Sequence, residues 1–451
     1  MRIVIIGCGT IGQTIIEHME KEGHTLVVID DNKNIVSEII EKYDVMGIVG
    51  NGASLEIQEE ANVQDADLVL AVTSSDEVNM LASIVAKKLG CTSTIARVRT
   101  PEYIRQAQTM QDELSISLVV NPEQETANEI TDMIDLPSLL KVEKFGSGKV
   151  MLAELLIDKD SVLVGENLID LNKKINTNFL ICAVQRGEEV IIPTGKFTIQ
   201  ENDRINVVTE VLTLANFLQE LKVIQMPLKN IMIIGGSKVA YFLAKNLLSK
   251  HYKVKIFESN KKRANDLAVM LPKATIINAD GTDHELLIEE GITSTDACIM
   301  LTNIDEENII ASLYAKKIKV PKVITKIKRN SFHGMINDLG LMNVISPQYV
   351  VANKIVRYIR ALANKKGSNV ITLYKLVNNQ VEALEFHAKK KEKIYNKPLK
   401  DLKIKNNCLI ACIIRDGKVI IPKGNDCIKL DDSVLVVTSH QNFDDLMDVF
   451  E

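Results

Sequence analysis

Short apolar runs alternate with longer segments of helical period over the first 135 residues. Residues 2–6, 25–30, 46–50, 68–73 and 95–99 are strand-length and rich in Ile, Val, Leu and Ala. Between them, Ile11 to Glu22 and Glu77 to Leu89 have the pattern of helices. Continuous apolar runs suit parallel strands, and strands alternating with helices predict a parallel, doubly wound α/β sheet. The pattern changes near residue 140. Lys149-Val150-Met151-Leu152-Ala153-Glu154 reads as an alternating strand, and Val184-Gln185-Arg186-Gly187-Glu188-Glu189-Val190 as a hairpin. A small strand-rich α+β module is expected there.

Both parts occur twice. Ile6-Gly7-Cys8 returns as Ile234-Gly235-Gly236, and Val190-Ile191-Ile192-Pro193 as Val419-Ile420-Ile421-Pro422. Thr73-Ser74-Ser75-Asp76-Glu77-Val78-Asn79 returns as Thr302-Asn303-Ile304-Asp305-Glu306-Glu307-Asn308. Landmarks kept in order at nearly constant spacing indicate a tandem duplication. The expected domains are 1–135 and 229–360 for the α/β parts, and 140–222 and 369–451 for the small modules.

Composition narrows the class. Apolar residues make up 46% and charged residues 25% of 451, so large cores can form. Trp is absent and aromatics are 4%, which leaves the cores to aliphatic side chains. The net charge of −5 argues against nucleic acid as a partner. No run reaches the ~18 apolar residues of a membrane span, and Met1 to Ile6 reads as a strand, not a secretory signal. Seven cysteines without a Cys-x-x-Cys pair read as free thiols of a cytoplasmic protein. Cys408 and Cys412 sit in a core-like strand with no His near, so no metal is expected.

The chemistry is carried by Gly7-Cys8-Gly9-Thr10-Ile11-Gly12, between the first strand and the first helix. In this context Gly7 permits the tight turn, Gly9 admits a pyrophosphate, and Gly12 lets helix and sheet approach. The helix N-terminus offers N–H groups and a positive dipole end to phosphate oxygens. Asp30 ends the second strand, placed to bind ribose hydroxyls and repel a 2′-phosphate. The fold is thus Rossmann-like, and NAD(H) or another adenosine nucleotide is favoured over NADP(H). Asn51, Thr73, Ser74 and Arg97 fall at the same sheet edge. Arg97 is the candidate phosphate partner, and Arg99 is weaker, since a surface salt bridge explains it equally well.

The second loop is altered. Ser237 stands where Gly9 does and Ala240 where Gly12 does, while Gly235 and Gly236 remain. Glu258 matches Asp30, Asp280 matches Asn51, Thr302 matches Thr73, and Lys326 and Lys328 match Arg97 and Arg99. This site keeps its acid and cations but narrows the phosphate approach. ATP or ADP is a candidate at either site, NAD or NADH at the first.

The order of these motifs resembles the TrkA-type peripheral proteins of Trk potassium uptake systems over essentially the whole chain. The matching stretches are Ile3 to Gly12, Ala71 to Asn79, Ile95 to Arg99, Gly165 to Leu171 and Val190 to Pro193. The resemblance implies tandem RCK (KTN) domains with their C-terminal companions, a membrane potassium-translocating subunit as partner, and a homo-oligomeric, tetrameric ring. It also implies a place at the inner face of the membrane, and nucleotide contacts on Gly7 to Gly12, Asp30, Thr73, Ser74 and Arg97. The family usually has Asp where Asn51 stands. In the same reading, the helices around Ala127, Ile130, Ile134 and around Val351, Ile355, Ile359 cross over between paired α/β domains.

Catalysis is not expected. No histidine falls near Thr73 or Arg97, and the small modules are too short to enclose a hydride acceptor. An NAD-dependent oxidoreductase is the competing reading, and a regulator of a different cation channel or exchanger is another. The basic run Lys389-Lys390-Lys391-Glu392-Lys393 reads as a solvated loop.

Overall fold

The computed structural model describes all residues except 110–115, 160, 222–227, 330–331, 333–335, 337–338, 366–369, 377–379, 390–391, 441–442 and 444. Lys390 and Lys391 of the basic run, and Lys222 and Asn369 at two expected domain limits, therefore lie outside the described residues.

The apolar runs of the first α/β part pair side by side. They form β1 (Arg2–Ile6), β2 (Thr25–Asp30), β3 (Met46–Val49), β4 (Leu68–Ala71), β5 (Ser93–Arg97) and β6 (Leu118–Val120). All are parallel, in the order β3-β2-β1-β4-β5-β6. The order reverses at β1, which opens a crevice at the carboxyl ends of β1 and β4. The helices are α1 (Thr10–Lys21), α2 (Lys33–Lys42), α3 (Leu55–Glu60), α4 (Asp76–Leu89), α5 (Pro101–Thr109) and α6 (Pro122–Asp135). Local chemistry sets the ends of α4. Ser75 Oγ accepts the Val78 N–H at its start, and Gly90, at φ +114°, takes the left-handed turn at its end.

Two strands stop earlier than their apolar runs. β4 ends at Ala71 and β5 at Arg97, because side chains take the next backbone donors. Asn79 Oδ1 accepts from Thr73 N at 2.8 Å, and the Asp76 carboxylate accepts from the Arg99 and Thr100 amides.

The first small module has β7 (Lys141–Phe145), β8 (Val150–Leu156), α7 (Leu168–Lys174), β9 (Phe179–Arg186), β10 (Glu189–Ile191), β11 (Arg204–Glu210) and α8 (Leu214–Glu220). Its antiparallel sheet runs β10-β9-β11-β8-β7. The second α/β part repeats the first: β12 (Asn230–Ile234), α9 (Lys238–Ser249), β13 (Lys253–Phe257), α10 (Lys261–Met270), β14 (Thr275–Ile277), α11 (His284–Glu289), β15 (Ala297–Met300), α12 (Asp305–Lys317), β16 (Lys322–Lys326), β17 (Val344–Ile345) and α13 (Pro347–Lys365). Its order is β14-β13-β12-β15-β16-β17. β18 (Val370–Leu376), β19 (Val381–His387), β20 (Cys408–Arg415), β21 (Lys418–Ile420) and β22 (Ser433–Thr438) build the second small sheet, ordered β18-β19-β22-β20-β21.

In space, like packs with like. One compact unit joins Met1–Ile134 to Leu228–Val356, and the other joins Asp135–Pro227 to Arg357–Glu451. In the first unit, Ala127, Ile130 and Ile134 of α6 enter the apolar cluster of Ile231, Ile233, Val239 and Leu243. Each fully buried Ile contributes ~1.5–3 kcal/mol, so this stripe anchors α6 on the second α/β part. Asn246 Nδ2 donates to Asn128 Oδ1 at 3.0 Å and Lys354 meets Glu125 at 2.5 Å along the same junction. Val351, Ile355 and Ile359 of α13 are fully buried as well.

In the other unit, β8 buries both faces. Met151, Ala153 and Leu155 face their own module's core, while Val150 and Leu152 join Val381, Ala383, Leu435 and Val437 of the second module. The alternation read in the sequence thus separates two dry faces, one of which exists only because the duplicate covers it.

Candidate functional site

The first loop is shaped by what touches each glycine. Gly7 has φ +95°, and a Cβ there would lie 2.6 Å from Thr73 N. A Cβ on Gly12 would lie 2.2 Å from the Gly7 carbonyl oxygen. A Cβ on Gly9 would meet nothing within 4 Å. Gly7 and Gly12 are therefore needed by the fold, whereas Gly9, exposed beside exposed Thr10 and half-buried Ile11, leaves an open approach. Gly9 is the N-cap of α1 and supplies no side-chain cap, so the first-turn N–H groups keep their donor capacity for an anion.

Asp30 reaches this loop directly. Cys8 N donates to Asp30 Oδ2 at 2.7 Å, and Asn32 N to Oδ1 at 2.9 Å. The half-buried carboxylate is thereby oriented at the strand end with acceptor capacity to spare. Burial, then the Asp30 charge, push the Cys8 thiol up to about 12, so it stays protonated. Asn51 is exposed and accepts from Ala53 N at 3.0 Å, next to Gly50, whose N–H bonds Asp30 O.

Thr73 and Arg97 meet at the neighbouring strand ends. Arg97 Nη1 donates to the carbonyls of Thr73 (3.1 Å) and Val72 (3.4 Å), and its buried Nε has no hydrogen-bond partner among the described residues. Burial, then the like charge of Arg99, pull this guanidinium below its usual range. Arg99 turns instead to Glu123 at 2.6 Å. Ser74 is exposed and Thr73 half-buried. Gly7, Cys8, Asp30, Asn51, Thr73 and Arg97 are thus gathered at one carboxyl edge. Asn79 is the residue that the motif reading quoted but gave no role. It is fully buried and ties Thr73 to the Arg97 carbonyl. Its signal was an amide six residues past a strand end, inside the repeated motif.

The second edge is a cavity of about 520 Å³ whose walls include Gly235, Gly236, Ser237, Glu258, Asp280 and Thr302. Glu258 repeats the acid–loop contact, with Gly236 N donating to Oε2 at 2.8 Å. A Cβ at Gly236 would come within 2.7 Å of that oxygen, so the longer acid goes with glycine where the first loop has Cys8. Ser237 Oγ accepts from Ala240 N at 3.4 Å and caps α9. It takes up a helix N-terminal donor that Gly9 leaves open. Arg263 Nε donates to Gly236 O at 2.8 Å and lines the cavity. Its counterpart in the first half is Ile35, so sequence matching did not bring it forward. Asp280 Oδ1 accepts from Thr282 N and Oγ1, which holds its carboxyl below the usual range. Lys326 is buried and donates to Leu301 O at 3.1 Å; burial, then Lys328, pull it down to about 8.

Comparison with known proteins places this architecture. The TrkA-N domain family matches residues 3–122 and 231–347, and the TrkA-C domain family matches 152–222 and 384–451. A Trk system potassium uptake protein TrkA homolog from Methanosarcina mazei is 33% identical over 445 residues, 97% of each chain. The solved structure of the GsuK channel bound to NAD shares the fold at a TM-score of 0.64 and 16% identity, over 97% of this chain and 76% of that one. The GsuK structure bound to ADP superposes with a TM-score of 0.51 and 15% identity, over 81% and 69%. Two pairs of TrkA-N and TrkA-C segments in alternation, with a relative of this identity along nearly its whole length, make the chain a member of the TrkA family of Trk system potassium uptake proteins.

Proposed function

We propose that the chain is a nucleotide-sensing regulatory subunit that gates a membrane potassium-translocating subunit, and not an enzyme. NAD or NADH binds the first edge. Gly7 to Gly12 and α1 receive the phosphates, Asp30 the ribose, and Arg97 with Thr73 closes the far side. ATP or ADP competes through the shared adenosine half. The second edge binds nucleotide more weakly, because Ser237 occupies an α9 donor and adds bulk over the loop. Four chains form a ring at the inner face of the membrane, and the bound nucleotide selects its shape.

One observation carries the ligand assignment: the open approach at Gly9, over an uncapped α1 and facing Asp30. Family membership and the NAD- and ADP-bound fold neighbours support it. Sensing follows from differential affinity. A coupling of ~1–3 kcal/mol shifts a gate equilibrium roughly 5- to 150-fold.

The test is calorimetry with NADH, NAD, ATP and ADP on the native chain and on Asp30→Ala. The expected result is a loss of about tenfold or more at the tighter site. Unchanged affinity for all four ligands would remove Asp30 and this edge from the binding site.

A further inference from the structure

The two α/β halves differ at the edge opposite the nucleotide loop. In the first half, Val27 and Ala61 are fully buried in one apolar cluster. Arg2, at the start of β1, lays its guanidinium over this place and donates from Nη2 to Ala61 O at 2.9 Å. The edge is filled.

In the second half the same register holds Asn230 for Arg2, Lys255 for Val27 and Glu290 for Ala61. The short Asn230 cannot reach across. Lys255 Nζ takes over instead, donating to the Glu290 carbonyl at 2.6 Å and to its carboxylate at 2.7 Å. This ion pair stands where the first half has two apolar side chains. Beside Asn230 lies a cavity of about 600 Å³, within the range of small-molecule sites.

Its chemistry is mixed. Ile231, Met232, Leu248 and Val254 contribute apolar surface, and Lys253 and Lys273 bring cations to the rim. The carboxylate of Glu290 is matched by Lys255, and the Asp296 carboxylate accepts from the Lys229 and Asn230 amides beside the cavity, so Lys253 and Lys273 leave the wall with a small positive excess. The fold does not require the ion pair, since its own duplicate holds Val27 and Ala61 at these positions, with Arg2 on the Ala61 carbonyl. We propose that this amino-terminal edge of the second sheet is a separate ligand site, which takes a small organic anion with an apolar body. A chain whose second nucleotide loop is degraded thus carries a different input on the same half.

The test uses two fluorescent probes of one shape on the full chain: 8-anilinonaphthalene-1-sulfonate and its neutral counterpart N-phenyl-1-naphthylamine. The sulfonate should bind saturably, one per chain, and be displaced by phenyl phosphate. Asn230→Arg, which sets the longer side chain of the first half's Arg2 into the cavity, should weaken it at least about tenfold, with NADH affinity unchanged. Lys253→Glu with Lys273→Glu should weaken the sulfonate about tenfold and leave the neutral probe within about twofold. This second variant decides the matter if Asn230→Arg does not fold. Sulfonate binding that persists in folded variants, or equal loss of both probes in the charge-reversed one, overturns the site.

Discussion

Asn79 holds Thr73 at both ends of its backbone: Oδ1 accepts from Thr73 N and Oγ1 at 2.8 and 2.7 Å, while Nδ2 donates to Thr73 O and Arg97 O at 3.1 and 2.9 Å. Asn308 repeats this for Thr302 and Lys326. A buried amide with these bonds joins the ends of β4 and β5 where the ladder stops. Asn79→Leu fills the space but strands these groups. The expected cost is about 2–4 kcal/mol of stability, read as a lower urea midpoint, together with weaker NADH binding. A midpoint equal to the native chain's would show that solvent replaces the amide.

The two loop glycines at 7 and 9 should separate folding from binding. Gly7→Ala places a Cβ against Thr73 at positive φ and should destabilise by about 1–3 kcal/mol. Gly9→Val meets open space, so its cost should be only that of a poorer N-cap for α1, about 0.5–1 kcal/mol, while nucleotide affinity falls about tenfold or more because the branched side chain stands in the phosphate approach. Thermal unfolding and calorimetry on the same samples check both halves. A Gly9→Val chain that binds NADH normally would place the phosphates elsewhere.

The second loop should be repairable. In an Asp30→Ala background, where the first edge is impaired, Ser237→Gly returns the α9 donor to the site. A gain of about fivefold or more in ATP or NADH affinity is expected at the second edge, for a stability cost of only a few tenths of a kcal/mol. No gain would mean that Arg263 or Ala240, and not the serine, limits that site.

Buried lysines set a pH dependence. Lys322 and Lys326 are 4% and 3% exposed, and burial pulls each from 10.5 to about 8. Between about pH 8 and 10.5 these two lysines hold more protons in the unfolded chain than in the folded one, so their own contribution to stability rises with pH. Buried thiols such as Cys8 and Cys182, raised from 9.0 to about 12, contribute with the opposite sign above pH 9. Below pH 8 both states are protonated and the penalty is constant, at most ~3.5 kcal/mol per lysine from ~1.4 kcal/mol per pKa unit. Lys326→Met should therefore gain on the native chain at pH 7.5, and the gain should shrink by pH 10. Urea midpoints of both chains at both pH values test this, and a difference between them that does not shrink by pH 10 would refute the sign.

Some of this protein was written locally. Five of the six strands of the first parallel sheet, the glycine loop between β1 and α1, Asp30 at the end of β2 and the doubling of the whole plan follow from short-range pattern. Helix and strand periods, turn geometry and capping act within a few residues, so the sequence alone carries them. The grouping of the four parts was not local. Which part Ile130 and Ile134 pack on, and why both faces of β8 are dry, depended on which surfaces the duplicate halves bury against each other. The same holds for Arg97, whose strand position predicted a cation at the edge but not its turn toward the Thr73 carbonyl, and for Arg263, which has no counterpart in the first loop. Burial, orphaned donors and the cavity at Asn230 are properties of side chains brought together from distant positions, and tertiary packing decides those.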